Sequence, residues 1–173
     1  MLISFVIPAY NSSKTIHRCL KSIYSLPLKG TEFEVFAIDD CSTDNTVELL
    51  KNYQKNHANL IVYCQPQNHR QGAARNIGVD KATGDIIVFV DSDDEVDEGL
   101  LKAVKRVEDF DLDMVIMRVA KVSLEGKVES EMSLPYQEER VFSGMVSPYF
   151  LTWELIFFSF PQCNRKITVY FFR

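Results

Sequence analysis

The stretch Asp85-Ile86-Ile87-Val88-Phe89-Val90-Asp91-Ser92-Asp93-Asp94 decides the fold class of this 173-residue chain. Its run of consecutive apolar residues, most of them β-branched, is typical of a strand that is buried on both faces of a parallel sheet. Three carboxylates follow the run within four residues. Clustered anions repel one another, so a divalent cation such as Mg2+ or Mn2+, carrying a phosphorylated ligand, would compensate their charge. The stretch therefore predicts an α/β sheet with a ligand site at the carboxyl end of this strand.

Outward from this stretch, the first two thirds of the chain alternate between strand patterns and helix patterns. Strands are predicted at 2–7, 33–38, 60–63, 85–90 and 112–117. Helices are predicted after a cap at Asn11 or Ser12, after a cap at Asp44, over 72–79 and over 96–107. Strands that alternate with helices favour a parallel sheet with right-handed crossovers.

Beyond about residue 120 the alternation fades. Two short strand patterns at 119–124 and 127–133, separated by Glu125-Gly126, predict a hairpin. Ten of the twenty aromatic residues lie in the last 33 residues, and between 148 and 161 they approximate helical spacing: Tyr149, Phe150, Trp153, Phe157 and Phe158. Plain core packing would explain this stripe. As the alternative, we expect an exposed patch that leads to a homodimer or to association with a membrane surface.

The composition argues against a nucleic-acid partner and favours a reducing compartment. The net charge of −5 does not favour nucleic-acid binding, which normally requires a basic patch. The four cysteines are widely spaced without a CxxC pair, which favours free thiols in a reducing compartment. The chain opens directly on a strand pattern, so we expect no signal peptide. We expect a cytoplasmic protein, peripheral at the inner face of the membrane if it binds that surface.

Three further segments follow predicted strands and should share an edge of the sheet with the acidic cluster. Pro8-Ala9-Tyr10-Asn11 offers a ring and a backbone that can hold a flat base, or it is an ordinary turn. In the second segment, Asp39 or Asp40 can accept from the N–H of a uracil or guanine edge, unless the pair forms a solvated acidic turn.

The third segment runs from Asn68 to Gly78. Its small residues let a helix begin close to an anion, and Arg75 can pair with a diphosphate. The alternative is an ordinary surface arginine. The ring of His69 is a further candidate to approach the ligand.

Together these four segments resemble the family 2 glycosyltransferases in order and interval over about residues 1–118. The resemblance rests on Ser4 to Asn11, Ala37 to Asp44, Gly72 to Asn76 and Val90 to Asp94. It implies an α/β fold of the GT-A type, a Rossmann-like, mostly parallel sheet flanked by helices with a partial C-terminal acceptor region. Residues 1–118 would then be the nucleotide-sugar-binding core, and 119–173 the acceptor-side region.

The resemblance also implies roles for individual residues. Pro8, Ala9 and Tyr10 would line the nucleoside pocket. Asp40 would contact the uracil, with support from Asp39. Arg75 would lie near the diphosphate, and Asp91, Ser92 and Asp93 form the DxD motif. The metal, Mn2+ or Mg2+, would be held by Asp93, Asp94 and Asp91. Cys41 stands where the family mostly has glycine, so we expect its turn to depart from the left-handed conformation.

The implied activity is hexosyl or similar transfer from a nucleotide diphosphate sugar, a UDP-sugar by expectation. The acceptor would be a saccharide or a lipid-linked molecule in surface polysaccharide assembly. Inverting members use a later acidic residue as the base, whereas 143–173 holds only Glu154. Asn164-Arg165-Lys166-Ile167 resembles the stretch before that base, so we expect the chain to stop short of it. The alternative is a non-catalytic nucleotide-sugar-binding remnant. A nucleotidyltransferase is disfavoured because no glycine-rich loop follows the first strand.

Overall fold

The structure, a computed structural model, describes residues 1–28, 30–110, 114–117, 120–122, 128–131 and 167–171. Within these ranges strands and helices alternate through the first nine elements, as the sequence predicts. The elements, in chain order, are β1 (Leu2–Ala9), α1 (Ile16–Tyr24), β2 (Glu32–Asp39), α2 (Thr46–Gln54), β3 (Leu60–Cys64), α3 (Arg70–Lys81), β4 (Ile86–Phe89), α4 (Gly99–Phe110), β5 (Met114–Met117), β6 (Ala120–Val122), β7 (Val128–Glu131) and β8 (Ile167–Phe171).

Six of these strands form one sheet in the order β3-β2-β1-β4-β8-β5. Every pairing in it is parallel, which confirms the predicted α/β class. Strand β8 is not among the predicted strands, although its β-branched and aromatic residues favour extended backbone. It enters the sheet between β4 and β5. A five-residue run inside an aromatic segment does not reveal which strands it will join.

The sheet is covered by helices on both faces. Ile3, Phe5 and Ile7 of β1 belong to one buried apolar cluster with residues of α1, α2 and α4. The alternate residue Val6 lies against α3, where a Cβ added to Gly78 would approach the Val6 Cγ1 atom to 2.2 Å. Glycine at this position therefore lets α3 lie directly on β1. All four residues of β4 are buried, which confirms the predicted two-sided burial of the strand that precedes the acidic cluster.

The first two helices begin later than predicted. Helix α1 has Thr15 at its N-cap rather than Asn11 or Ser12, and α2 has Asn45 rather than Asp44. Neither cap residue makes a capping hydrogen bond with its side chain. Asp44 nevertheless serves the start of α2, since its Oδ1 atom accepts from the Thr46 N–H at 3.0 Å and its Oδ2 atom from the Ser13 N–H at 3.1 Å. The acidic side chain thereby ties the start of α2 to the loop before α1.

These contacts predict an acid-sensitive contribution of Asp44 to stability. Burial alone raises the pKa of its carboxyl, but hydrogen bonds from Thr46 and Ser13 outweigh burial and hold the pKa at about 2. The ordinary value is about 3.9. Because the pKa of the folded state is depressed, the stabilisation is complete above about pH 4 and is lost as the pH falls towards about 2. We expect the free energy of unfolding of Asp44→Asn, measured by urea denaturation, to fall less steeply across that interval than that of the wild type. Parallel curves for the two proteins would contradict this prediction.

The chain divides into two compact units, Met1–Met117 with Arg165–Phe171 and Arg118–Asn164 with Phe172–Arg173. In the second unit, β6 and β7 pair antiparallel, which confirms the predicted hairpin. The aromatic stripe between 148 and 161, Glu154 and residues 164–166 lie outside the described residues. Self-association, membrane association and the functional division near residue 118 therefore stay predictions. In the part of the chain that the structure describes, no helix has the length and apolar character needed to cross a membrane.

Candidate functional site

The four segments singled out in the sequence meet at one edge of the sheet. Strands β2, β1 and β4 are neighbours and run parallel, so their carboxyl ends lie side by side. Ala9 is in register with Asp39, and the Asp40 N–H donates to the Ala9 carbonyl at 2.8 Å. The acidic cluster follows β4 at the same edge. The edge that the sequence predicts as the ligand site is thus formed by the predicted segments.

The loops after β1 and β2 are bonded to each other. The Asn11 N–H donates to Ser42 Oγ at 2.9 Å, and the Thr43 N–H donates to Asn11 Oδ1 at 2.8 Å. Pro8 and Ala9 are buried at the end of β1, whereas Tyr10 is 50% exposed. These bonds hold the backbone around Tyr10 in place and leave its ring accessible to a planar ligand.

Asp39 and Asp40 are buried, with exposed fractions of 1% and 2%. This contradicts the alternative of a solvated acidic turn. Asp39 Oδ2 accepts from the Ser42 N–H at 2.9 Å, and its buried Oδ1 accepts no hydrogen bond from the described residues. Asp40 Oδ1 accepts from Gln65 Nε2 at 2.7 Å and from the His69 N–H at 2.8 Å. Both carboxylates are therefore held in defined orientations beneath the edge.

The loop after β3 contributes further contacts to this site, and Gln65 among its residues was assigned no role from the sequence. Gln65 is buried and orients Asp40 through its amide, and Asn68 Nδ2 donates to the Asp40 carbonyl at 3.2 Å. His69 contributes its backbone N–H, while its ring contacts Gln67. The available signal was a polar amide placed directly after a predicted strand, at the edge where the other strands end.

The acidic cluster is joined to helix α3 by an ion pair. Arg75 Nη2 lies 2.5 Å from Asp91 Oδ1, which also accepts from Gln71 Nε2 at 3.1 Å. The Arg75 side chain is only 16% exposed, so the alternative of an ordinary surface arginine is wrong. Helix α3 thus brings a guanidinium group, which is able to pair with phosphate oxygens, next to the carboxylates.

Helix α1 anchors both ends of the acidic segment. The Cys19 thiol donates to the Asp91 carbonyl at 3.5 Å, and Ser22 Oγ accepts from the Val96 N–H at 3.0 Å. Burial, reinforced by the charges of the neighbouring acids, raises the pKa of the Cys19 thiol, which keeps it a protonated donor. Cys19, Cys41 and Cys64 are free thiols as predicted, whereas Cys163 lies outside the described residues. The loop that carries Asp93 is therefore held in place by hydrogen bonds to helix α1 as well as by bonds within the loop.

The chemistry of the acidic cluster fits a hard divalent cation that is held jointly with a phosphorylated ligand. Asp93 and Asp94 are partly exposed, whereas Asp91 is engaged by Arg75 and Gln71. Among the described residues, no group of three or more acidic, histidine or cysteine side chains forms a metal site. Mg2+ commonly takes one or two carboxylates and completes its coordination with phosphate oxygens and water. The donor set matches that arrangement.

Left-handed backbone is concentrated beside the site. Asn11 and Cys41, with φ values of 49° and 63°, lie just after β1 and β2, and Arg70, with a φ of 70°, is the first residue of α3. The expectation that Cys41 would avoid this conformation is wrong. The turn is left-handed, and the cysteine adopts it with the strain that a side chain brings there.

This strain leads to a stability prediction for Cys41. Replacement by glycine is expected to raise the free energy of unfolding by about 1 kcal/mol, because glycine adopts positive φ without steric strain. Cys41→Ala is the matched control, since alanine removes the thiol but keeps the Cβ, and its stability should stay close to that of the wild type. Urea denaturation of the three proteins measures the difference. Equal stability of Cys41→Gly and Cys41→Ala would contradict the prediction.

Comparison with known proteins shows what this chain is similar to. The model of the family described as glycosyl transferase family 2 matches residues 4–172. The chain is 34% identical over 132 residues to the poly(ribitol-phosphate) beta-N-acetylglucosaminyltransferase TarS of Staphylococcus aureus, which covers 75% of this chain but 23% of that relative. The chain therefore spans less than a quarter of the relative's length.

Two solved structures resemble the fold. The crystal structure of S. aureus TarS 1–349 in complex with UDP-GlcNAc matches with a TM-score of 0.61 and 34% identity, over 75% of this chain and 37% of that one. The mannosyltransferase PcManGT from Pyrobaculum calidifontis, in complex with GDP-Man and Mn2+, matches with a TM-score of 0.59 and 25% identity, over 66% of this chain and 35% of that one.

Proposed function

The chain belongs to glycosyl transferase family 2, and from this premise we propose that it binds a UDP-sugar together with Mn2+ or Mg2+ and transfers the sugar to an acceptor. The acceptor class we propose is a saccharide or a lipid-linked molecule in surface polysaccharide assembly. The convergence of the four segments at the carboxyl edge of β2, β1 and β4 carries the proposal, because open α/β sheets bind ligands at that edge.

The nucleoside end of the donor is assigned to the loops after β1 and β2. The accessible ring of Tyr10 offers a stacking surface beside Pro8 and Ala9. Gln65 and the His69 N–H both donate to Oδ1 of Asp40 and fix the orientation of its carboxylate. An oriented carboxylate is an acceptor, so it suits a base with a ring N–H such as uracil. Asp39 supports this arrangement through the Ser42 N–H.

The diphosphate end is assigned to α3 and the acidic cluster. Arg75 presents its guanidinium at Asp91, at the start of the DxD motif Asp91-Ser92-Asp93. Asp93 and Asp94, with Asp91, would hold the cation. A bound Mn2+ or Mg2+ would neutralise the diphosphate as it leaves the sugar. The residues of this chain would orient the donor, with its charged end beside Arg75 and the acidic cluster. TarS, a relative of known structure, has been crystallised with UDP-GlcNAc, which supports a UDP-sugar as donor.

Calorimetric titration of UDP with and without Mn2+ tests the binding proposal. We expect binding in the presence of Mn2+ and a marked loss of affinity when the cation is removed with a chelator. CDP is the matched control ligand and should bind more weakly, because cytosine lacks the ring N–H that would donate a hydrogen bond to Asp40. UDP binding that is absent, or that does not change on removal of the cation, would contradict the proposal.

A thermal-shift panel of nucleotide sugars would identify the donor, since a ligand that binds the folded state raises the melting temperature by mass action. Incubation of the preferred donor with the 173-residue chain then tests catalysis. Donor hydrolysis or sugar transfer would exclude the alternative of a non-catalytic nucleotide-sugar-binding protein. Tight binding without either reaction would favour that alternative.

A further inference from the structure

Ser12 is a buried polar residue in the loop between β1 and α1, with an exposed fraction of 8%. Its Oγ atom lies 2.6 Å from the Oγ atom of Ser92, the central residue of the DxD motif, and 3.2 Å from the Tyr10 carbonyl. Its backbone N–H donates to Thr46 Oγ1 at 2.8 Å, a bond that is also buried. One serine therefore contacts the nucleoside-side loop, the start of α2 and the acidic cluster.

The direction of these hydrogen bonds follows from their chemistry. A hydroxyl carries a single proton, and a carbonyl oxygen can only accept. Both bonds form at the same time only when Ser12 donates to the Tyr10 carbonyl and Ser92 donates to Ser12. Ser92 is itself only 9% exposed, and the contact with Ser12 holds its hydroxyl at this buried position.

We propose that Ser12 is a positioning residue that holds Ser92, and with it the carboxylates of Asp91 and Asp93, in the arrangement that receives the diphosphate and its cation. This inference rests on the proposed function. Ser12 is buried and acts through Ser92 rather than on the ligand itself. If the Ser12 hydroxyl is removed, Ser92 loses its hydrogen-bond partner at a buried position. Its side chain would then turn towards another partner and displace Asp91 and Asp93 on either side. The same serine makes the position of the acidic cluster depend on the loop that carries Tyr10.

A double-mutant cycle on UDP binding in the presence of Mn2+ tests this coupling. Ser12→Ala and Ser92→Ala are each expected to weaken binding about 10-fold. The double variant should be no weaker than either single variant, because both changes remove the same hydrogen bond. A double variant that loses about 100-fold would show independent effects and overturn the proposal.

Ser4→Ala is the matched control for a loss of stability. Ser4 is a fully buried serine on β1, and its hydroxyl also makes two bonds, to Glu34 Oε1 at 2.6 Å and from the Gly84 N–H at 2.9 Å. It lies at the other end of the strand from the site. Ser4→Ala should lower the melting temperature and leave the UDP affinity within about 2-fold of the wild type. An equal loss of affinity in Ser4→Ala would show that general destabilisation explains the result for Ser12.

A second measurement separates failure of this inference from failure of the proposed function. Amide hydrogen exchange in the ligand-free chain should rise over residues 89–96 in Ser12→Ala and stay at the wild-type rate in Ser4→Ala. If wild-type protein does not bind UDP, the proposed function fails, while the exchange data still test whether Ser12 holds the acidic segment. Unchanged exchange in Ser12→Ala would overturn the positioning role directly.

Discussion

Replacement of Asp93 by alanine is expected to abolish the Mn2+-dependent part of UDP binding. Asp93 follows the buried strand β4 on a loop that is held at both ends by α1. Its loss would remove a hard oxygen ligand and a negative charge that a divalent cation requires. Removal of a partner that only orients a metal ligand costs about 10–100-fold, so loss of the ligand itself should exceed that range. Calorimetry with and without Mn2+ measures the Mn2+-dependent and the Mn2+-independent part of UDP binding.

Asp80→Ala provides the control for this experiment. Asp80 is an exposed carboxylate near the C-terminal end of α3, away from the proposed site. Its removal changes the net charge of the protein by the same amount as the removal of Asp93. UDP affinity and its dependence on Mn2+ should match those of the wild type. The assignment of the cation to Asp93 would be refuted if Asp93→Ala retained the wild-type response to Mn2+, or if Asp80→Ala lost it to the same degree.

Replacement of Gly78 by alanine is expected to lower the free energy of unfolding by about 3 kcal/mol. A Cβ atom at this position would meet Val6 Cγ1 at 2.2 Å and Val6 Cγ2 at 3.0 Å. Val6 is fully buried in β1, so it cannot turn away without displacing its neighbours. For a chain of this size the melting temperature should fall by roughly 6–12 °C. Because α3 must move outward, Arg75 should lose its contact with Asp91, and UDP affinity should fall as well.

Gly72→Ala is the matched change on the same helix. No atom lies within 4 Å of a Cβ added at Gly72, and its backbone is helical. Alanine should therefore stabilise the protein by about 0.5–1 kcal/mol, because it loses less backbone entropy on folding. Thermal denaturation of both variants distinguishes close packing from helix propensity. If Gly78→Ala were as stable as Gly72→Ala, the close approach of α3 to β1 would be disproved.

Much of the architecture is encoded locally. The apolar run before Asp91 predicts a strand buried on both faces, because only a strand covered by two layers can carry consecutive large side chains without exposing them. The structure confirms that burial and the predicted alternation of strands and helices. The positions of the helix starts were less well predicted, since Asp44 can bond the Thr46 N–H from outside the cap position. Short polar side chains allow more than one such geometry.

The meeting of the four segments at one edge of the sheet was predicted, but the contacts that support this edge were not. Asp39, Asp40 and the acidic cluster were recognisable because acidic residues directly after buried strands have few structural explanations. The role of Gln65 in orienting Asp40 was not recognisable from the sequence, because nothing near Gln65 indicates that β3 lies beside β2. The left-handed turn at Cys41 was predicted wrongly, since the surrounding bonds hold the backbone in place despite its side chain.

The sequence by itself therefore determined the class of fold, the strand that is buried on both faces and the carboxylates at its end, since burial and turn chemistry depend on neighbouring residues. Tertiary structure alone decided the placement of β8 between β4 and β5, the pairing of Arg75 with Asp91 and the bond between Ser12 and Ser92. Ser12 and Ser92 are 80 positions apart in the chain. Their contact exists because β1 and β4 are adjacent and parallel, and strand order is set by how the whole core packs rather than by any local pattern.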